Sequence, residues 1–264
     1  MNAAPAPFPY RLRIEHEGQL SLRLERLGAT VRFDPSGPIG DGDVVVLTWT
    51  WPEHLQATAA ALAQGRRPVV VAPAPVRDWL RSRGAPAELL LEGPARVDGL
   101  RVEQWPYTPI PWVTPPEAIH KLRSAALRPD RAARRLLVRA GLPRSQPQVT
   151  RIDLPDGEHL VHLNLALHGG TDPAWLAEQS ARHTGARWLL LGCDFQEDEA
   201  VFAQVARFQA RHVLLVDLLG DVRRGLGLPT GLLTLLCDRL RQSGVDAYVL
   251  ASRVSYRFEH STGR

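Results

Sequence analysis

The sequence predicts two β-rich layers with helices packed outside them, an α/β sandwich formed by a single domain. Three observations predict it. Strand-like and helix-like segments are mixed through both halves of the 264 residues. The second half repeats the build of the first. The strand-like segments are of two kinds, alternating ones suited to a sheet with one buried face and continuous apolar ones suited to a strand covered on both faces. Nothing of disordered composition divides the halves and no repeat of solenoid period occurs, so residues 1–264 read as one domain.

After a Pro/Ala-rich leader, read as flexible over residues 1–9, the segments "YRLRIEH", "QLSLRLER" and "ATVRFDPS" alternate with period two between glycine-containing turns. They form a meander with one face buried. "DVVVLTW" is a buried strand, and residues 52–64 follow at helical spacing, with Pro52 suited to a first turn and Gly65 to a stop. "RRPVVVA" is a strand, "PAPVRDWLRSRG" a helix ending at Gly84, and "VDGLRVEQWPY" another strand. Residues 115–141 form an arginine-rich helical insert broken at Pro129, with Arg131, Arg134, Arg135 and Arg139 on a solvated side. Then come "QVTRIDL" and "EHLVHLNLAL" as strands, "DPAWLAEQSARHTG" as a helix and "RWLLLGC" as a strand. "EDEAVFAQVARFQ" is a helix, "RHVLLVDLL" a strand, "PTGLLTLLCDRLRQSG" a helix, and "DAYVLAS" and "VSYRFE" close the chain as strands.

Composition excludes several function classes. A hydrophobic share of 44% with 23% charged residues is that of a globular protein with a sizeable core. The net charge of +4 comes almost wholly from arginine, Lys121 being the only lysine. Guanidinium groups suit carboxylates and phosphates, which permits an acidic ligand, although GC-rich coding gives the same bias. The two cysteines, Cys193 and Cys237, lack C-x-x-C spacing and read as buried free thiols of a cytoplasmic protein. There is no signal-peptide pattern and no run of about 18 apolar residues, so neither secretion nor membrane spanning is expected. Aromatic residues do not interleave with the arginines of residues 123–144, and the charge is modest, so nucleic acid is not the expected partner.

The turn after the buried strand reads Thr48-Trp49-Thr50-Trp51-Pro52-Glu53-His54. Its place and spacing resemble the signature T-H-x-H-x-D-H of the metallo-β-lactamase superfamily. "ATVRFDPS" is similar to that family's Asp-Pro strand, and "RRPVVVAPAPVRDWLRSRG" to its next strand and helix. "RHVLLVDLLGD" and "LRQSGVDAYVLASRVSYRF" resemble the closing elements of its lactonase-like branch. The resemblance covers most of the chain outside the arginine-rich insert. It implies an αββα sandwich holding one or two zinc ions at the sheet edge, where a metal-activated hydroxide attacks an ester, lactone, amide or phosphodiester.

Measured against that implication, the signature is degenerate. An indole N–H only donates hydrogen bonds, so Trp49 and Trp51 delete two histidines of the first metal site. No histidine lies between residues 101 and 112, where the third would fall. Carried over from the family, the second site becomes Glu53, His54, His168 and Asp217, with Asp172 competing for the place of His168. These four either bind one metal or hydrogen-bond one another as a buried polar network. Trp49 and Trp51 are two residues apart in an extended segment and project to the same side, plugging the lost metal's place or offering faces for stacking. With Tyr107 and Asp194 they make up the candidate pocket. Elsewhere, Cys193 beside Asp194, with His183 or His212 as a base, reads as an inert thiol. The glycine-rich residues 220–231 lack the lysine of a phosphate loop and read as a flexible cover.

The expected function is therefore that of a pseudoenzyme without cofactor, binding a protein partner or a small acidic ligand. The alternative is a mononuclear hydrolase in which Glu53, His54, His168 and Asp217 hold one zinc or other divalent ion. A third reading is a module for an acidic partner or nucleic acid built on the insert.

Overall fold

The computed structural model describes residues 12–18, 21–26, 28–108, 141–192, 198–217 and 233–258. The leader, nearly all of the arginine-rich insert, Cys193, Asp194 and the glycine-rich residues 220–231 lie outside them.

Strands β1 (Leu12–Gly18), β2 (Ser21–Arg26) and β3 (Ala29–Phe33) form the antiparallel meander that the period-two pattern predicts. Three short apolar strands, β4 (Val44–Val46), β5 (Val69–Val71) and β6 (Leu90–Leu91), extend it in parallel. Helices α1 (Pro52–Ala63) and α2 (Ala74–Arg81) make the crossovers. The second sheet begins with β7 (Ala95–Val97), β8 (Leu100–Pro106), β9 (Gln148–Asp153) and β10 (His159–Asn164), all antiparallel. It continues in parallel through β11 (Trp188–Gly192), β12 (His212–Val216) and β13 (Asp246–Leu250). Its connections are α3 (Pro173–Arg182), α4 (Asp198–Val205) and α5 (Leu233–Gln242). The last strand, β14 (Ser255–Phe258), crosses to the first sheet and pairs antiparallel with β1.

Each sheet has seven strands, ordered β14-β1-β2-β3-β4-β5-β6 and β13-β12-β11-β10-β9-β8-β7. Both run from an antiparallel part into a parallel part, the repeated build read in the sequence. Three apolar layers hold the sandwich together. One, with Ile14, Phe33, Val46, Ile152 and Leu160, lies between the sheets. A second, with Leu55, Val70 and Leu80, lies under α1 and α2, and a third, with Leu189, Leu215, Leu236 and Leu240, under the helices of the second sheet. The order is αββα.

The structure refines the sequence reading at three places. "VDGLRVEQWPY" is a hairpin and not one strand: Asp98 (φ 49°) and Gly99 (φ 80°) are both left-handed, which matches the twist of the strands, and Val97 faces Leu100. The two-residue β6 is too short for a period to reveal. β10 stops at Asn164, whose φ of 56° ends the strand before the apolar run does. Gly99→Ala is expected to cost about 1 kcal/mol in urea unfolding, because the left-handed backbone penalises a Cβ. The nearest atom, Pro155 Cγ at 3.6 Å, leaves room for the methyl group itself.

Candidate functional site at the sheet edge

The C-terminal ends of β3, β4 and β10 meet at one edge of the sandwich, and each delivers a buried polar side chain. Asp34, directly after β3, is fully buried with a left-handed φ of 42°. Its Oδ1 accepts from Thr48 N at 2.8 Å and from Trp49 N at 3.2 Å, and Thr48 Oγ1 donates to its Oδ2. Asn164 Nδ2 donates across the interface to Thr48 Oγ1 at 3.0 Å. Gln148 N donates to Thr48 O at 2.9 Å, and Gln104 Nε2 to Leu47 O at 3.1 Å. Asp34 thus fixes the signature turn, and Asn164, Gln148 and Gln104 fasten that turn to the second sheet. Burial drives the Asp34 carboxyl up to about 7, outweighing the three hydrogen bonds that lower it.

Above this network stand the aromatic rings. Trp49 and Trp51 are half-buried and both pack on the apolar layer between the sheets. Trp49 meets Tyr107 edge-on with ring centres 6.4 Å apart, and Tyr107 meets Trp175 at 6.4 Å. Tyr107 is buried, its hydroxyl accepts from Leu165 N at 3.4 Å, and burial, reinforced by the nearby Asp34, pushes its pKa up. Trp175 Nε1 donates to Pro106 O at 3.3 Å, so the indole at the outer end is anchored by its polar atom as well.

The residues assigned to a second metal site are distributed differently. Glu53 is exposed in the first turn of α1. His54, one residue on, is fully buried; burial lowers its pKa to about 4, against a pull in the other direction from the Pro35 carbonyl. His168 has both ring nitrogens engaged. Nδ1 accepts from Gly170 N at 3.1 Å, which leaves the proton on Nε2 to donate to Thr108 O at 3.2 Å. Its carbonyl accepts from Gln204 Nε2 at 2.9 Å, so His168 pins the loop after β10. Asp172 caps α3, accepting from Ala174 N at 2.9 Å. Asp217 is half-buried at the end of β12. Among the described residues, no three of His, Cys, Asp and Glu are grouped so as to hold a metal ion.

Asp194 and Cys193 fall outside the described residues. His183 packs against Trp105 at 5.0 Å, while His212 sits at the start of β12, its Nδ1 2.6 Å from Asp246 Oδ2. The side chains that sequence reasoning left without a role are Asp34, Thr48, His162 and Asn164. A signal for the last two was present: His162 and Asn164 are polar residues two apart in an otherwise apolar strand, on the face where Leu160 is core.

No protein-family model matches the sequence, and no curated protein sequence matches it. Solved structures do match. The chain is similar to Igni18, a metallo hydrolase from the hyperthermophilic archaeon Ignicoccus hospitalis KIN4/I, with TM-score 0.61 and 12% identity over 94% of this chain and 99% of that one. It is similar to CmlA, a diiron β-hydroxylase from Streptomyces venezuelae, with TM-score 0.61 and 11% identity over 96% of this chain, which spans 55% of that one. An isothiocyanate hydrolase from Delia radicum gut bacteria matches with TM-score 0.56 and 13% identity over 94% of this chain and 99% of that one. The likeness is one of fold. Zinc and iron enzymes of this architecture need imidazole nitrogen and carboxylate oxygen converging at the edge. Among the described residues, that edge presents two indoles, an exposed Glu53, a buried His54 and a His168 with both nitrogens in use, and no three metal-binding side chains are grouped there, a donor set that does not fit a dinuclear centre.

Proposed function

We infer that this chain, built on the metallo-β-lactamase fold, works by binding and not by metal-activated hydrolysis, its sheet edge presented to a protein or a small acidic ligand. One observation carries the reading. Trp49 and Trp51, which the resemblance aligns with two histidines of the signature, pack on the core between the sheets, and this supports apolar contact in place of ligation where the first metal would sit. The Asp34, Thr48 and Asn164 network supports it, because its hydrogen bonds fasten the turn to both sheets through protein atoms. No helix among the described residues is long and apolar enough to cross a membrane, and Cys237 is a buried free thiol, which suits a reducing cytoplasm.

The test is metal content by inductively coupled plasma mass spectrometry on tag-free protein, with zinc titrated during thermal unfolding. Well under one equivalent of bound metal and an unfolding temperature that zinc does not raise are expected. About one equivalent of metal, lost in His54→Ala, would overturn the reading in favour of a mononuclear hydrolase.

A further inference from the structure

The inner face of the second sheet changes character along its strands. In its lower part Val102, Ile152 and Leu160 are core. One alternation nearer the edge, the cross-strand row is Gln104, Thr150 and His162, set side by side by the pairing of β8 with β9 and of β9 with β10. Asn164 follows on β10. Thr150 and Asn164 are fully buried and His162 is 1% exposed, its ring 4.7 Å from that of Phe33 on the opposite sheet. Thr150 Oγ1, Asn164 Oδ1 and both nitrogens of His162 make no hydrogen bond to any protein atom.

Four such atoms gathered on neighbouring positions of two adjacent strands are costly if dry, because each forfeits its interaction with water without replacement. Cross-strand neighbours have Cβ atoms roughly 5 Å apart, and residues two apart along a strand are separated by about 7 Å. Such spacings suit bridging by a molecule of water size. The chemistry of the set is also complementary to water. A neutral imidazole offers one donor and one acceptor, the threonine hydroxyl one donor and two acceptor sites, and Asn164 Oδ1 accepts. A single water with two protons and two lone pairs can serve three of them at once.

We propose that Thr150, His162 and Asn164 form an internal hydration site between the sheets, holding at least one ordered water that bridges them beneath the signature turn. The bound water fixes the ring of His162, and through Asn164 it connects to Thr48 and Asp34, so that the hydrogen-bonded edge network continues into the interior. The site stands whether the edge binds a partner or a metal.

The two states of the site give opposite signs for one substitution. Thr150→Val keeps the shape and deletes the hydroxyl. If a water is bridged there, the folding equilibrium constant falls about fivefold to tenfold and long-lived internal water, read by oxygen-17 magnetic relaxation dispersion, is reduced relative to wild type. Thr150→Ser, which keeps the hydroxyl, retains the relaxation signal. Crystals of the wild-type protein show density bonded to the three side chains. A Thr150→Val protein as stable as wild type or more so, or wild-type crystals with no density among these residues, overturns the proposal, the first because removing a dry, unpartnered hydroxyl relieves a penalty.

Discussion

Lowering the pH from about 8 to about 5 is expected to weaken the fold by several kcal/mol, with buried histidines as the cause. Burial holds His54 at about 4, His162 at about 3 and His183 at about 3, where the positive charges of Arg151, His159 and Arg182 add to the effect on His183. The same rings in the unfolded chain titrate near the ordinary value of about 6.5. Between those values the unfolded state takes up protons that the folded state refuses. The stability contribution is therefore fully present above the unfolded value and is lost as the pH falls through it towards the folded ones. At pH about 5 each of the three costs about 2 kcal/mol. Asp34 acts in the opposite sense. Its folded value of about 7 exceeds its unfolded one, so it penalises the fold at high pH and returns about 2 kcal/mol on acidification. The net loss, about 4 kcal/mol, is a large part of the stability of an ordinary domain. Urea unfolding across this range measures it, and His183→Leu should flatten the profile by about one histidine's share. A profile that the substitution leaves unchanged would remove burial as the cause.

Replacing Asp34 by alanine is expected to destabilise the protein by about 3–5 kcal/mol and to loosen the signature turn. Three donors lose their acceptor together: Thr48 N, Trp49 N and Thr48 Oγ1. Position 34 is moreover left-handed, a conformation that asparagine and aspartate tolerate and alanine does not. Asp34→Asn keeps an oxygen for the two backbone donors and should cost only about 1–2 kcal/mol. It should also abolish the part of the pH profile that falls as the pH rises towards 7, since no ionisable group remains. Unfolding free energies from urea titrations distinguish the two variants. Equal losses for alanine and asparagine would show that packing, and not hydrogen bonding to the turn, is what Asp34 supplies.

Much of the fold was legible because its elements announce themselves by period. The alternation in "YRLRIEH" and "QLSLRLER" reflects a sheet with one face on the core, and the unbroken "VVV" of β4 reflects burial on both. What failed was local. The Asp98-Gly99 turn was hidden inside an apparently continuous strand, and β6 is too short to carry a pattern. At the candidate site the turn after β4 was readable from its spacing, and the resemblance of Thr48 to His54 to a metal-binding signature, with indoles in place of imidazoles, supplied the expectation that no conventional first metal site forms there. The fate of the remaining polar residues was not readable. Glu53 and His54 are adjacent in sequence, yet the helical turn of about 100° between them sends one to solvent and the other to the interior.

The amino-acid sequence by itself determined the two β-rich layers, the repeated order of their strands and the presence of two indoles in the turn after β4, because hydrophobic period and side-chain chemistry are local properties. Only the tertiary structure decided which polar groups share the edge. Asp34, Thr48 and Asn164 come from three strands of two sheets, and Thr150 and His162 meet through strand register, a relation that sequence distance does not encode. His168, four residues beyond Asn164, turns its nitrogens to Gly170 and Thr108, because the left-handed residue at Asn164 ends the strand there and hands the chain to a loop.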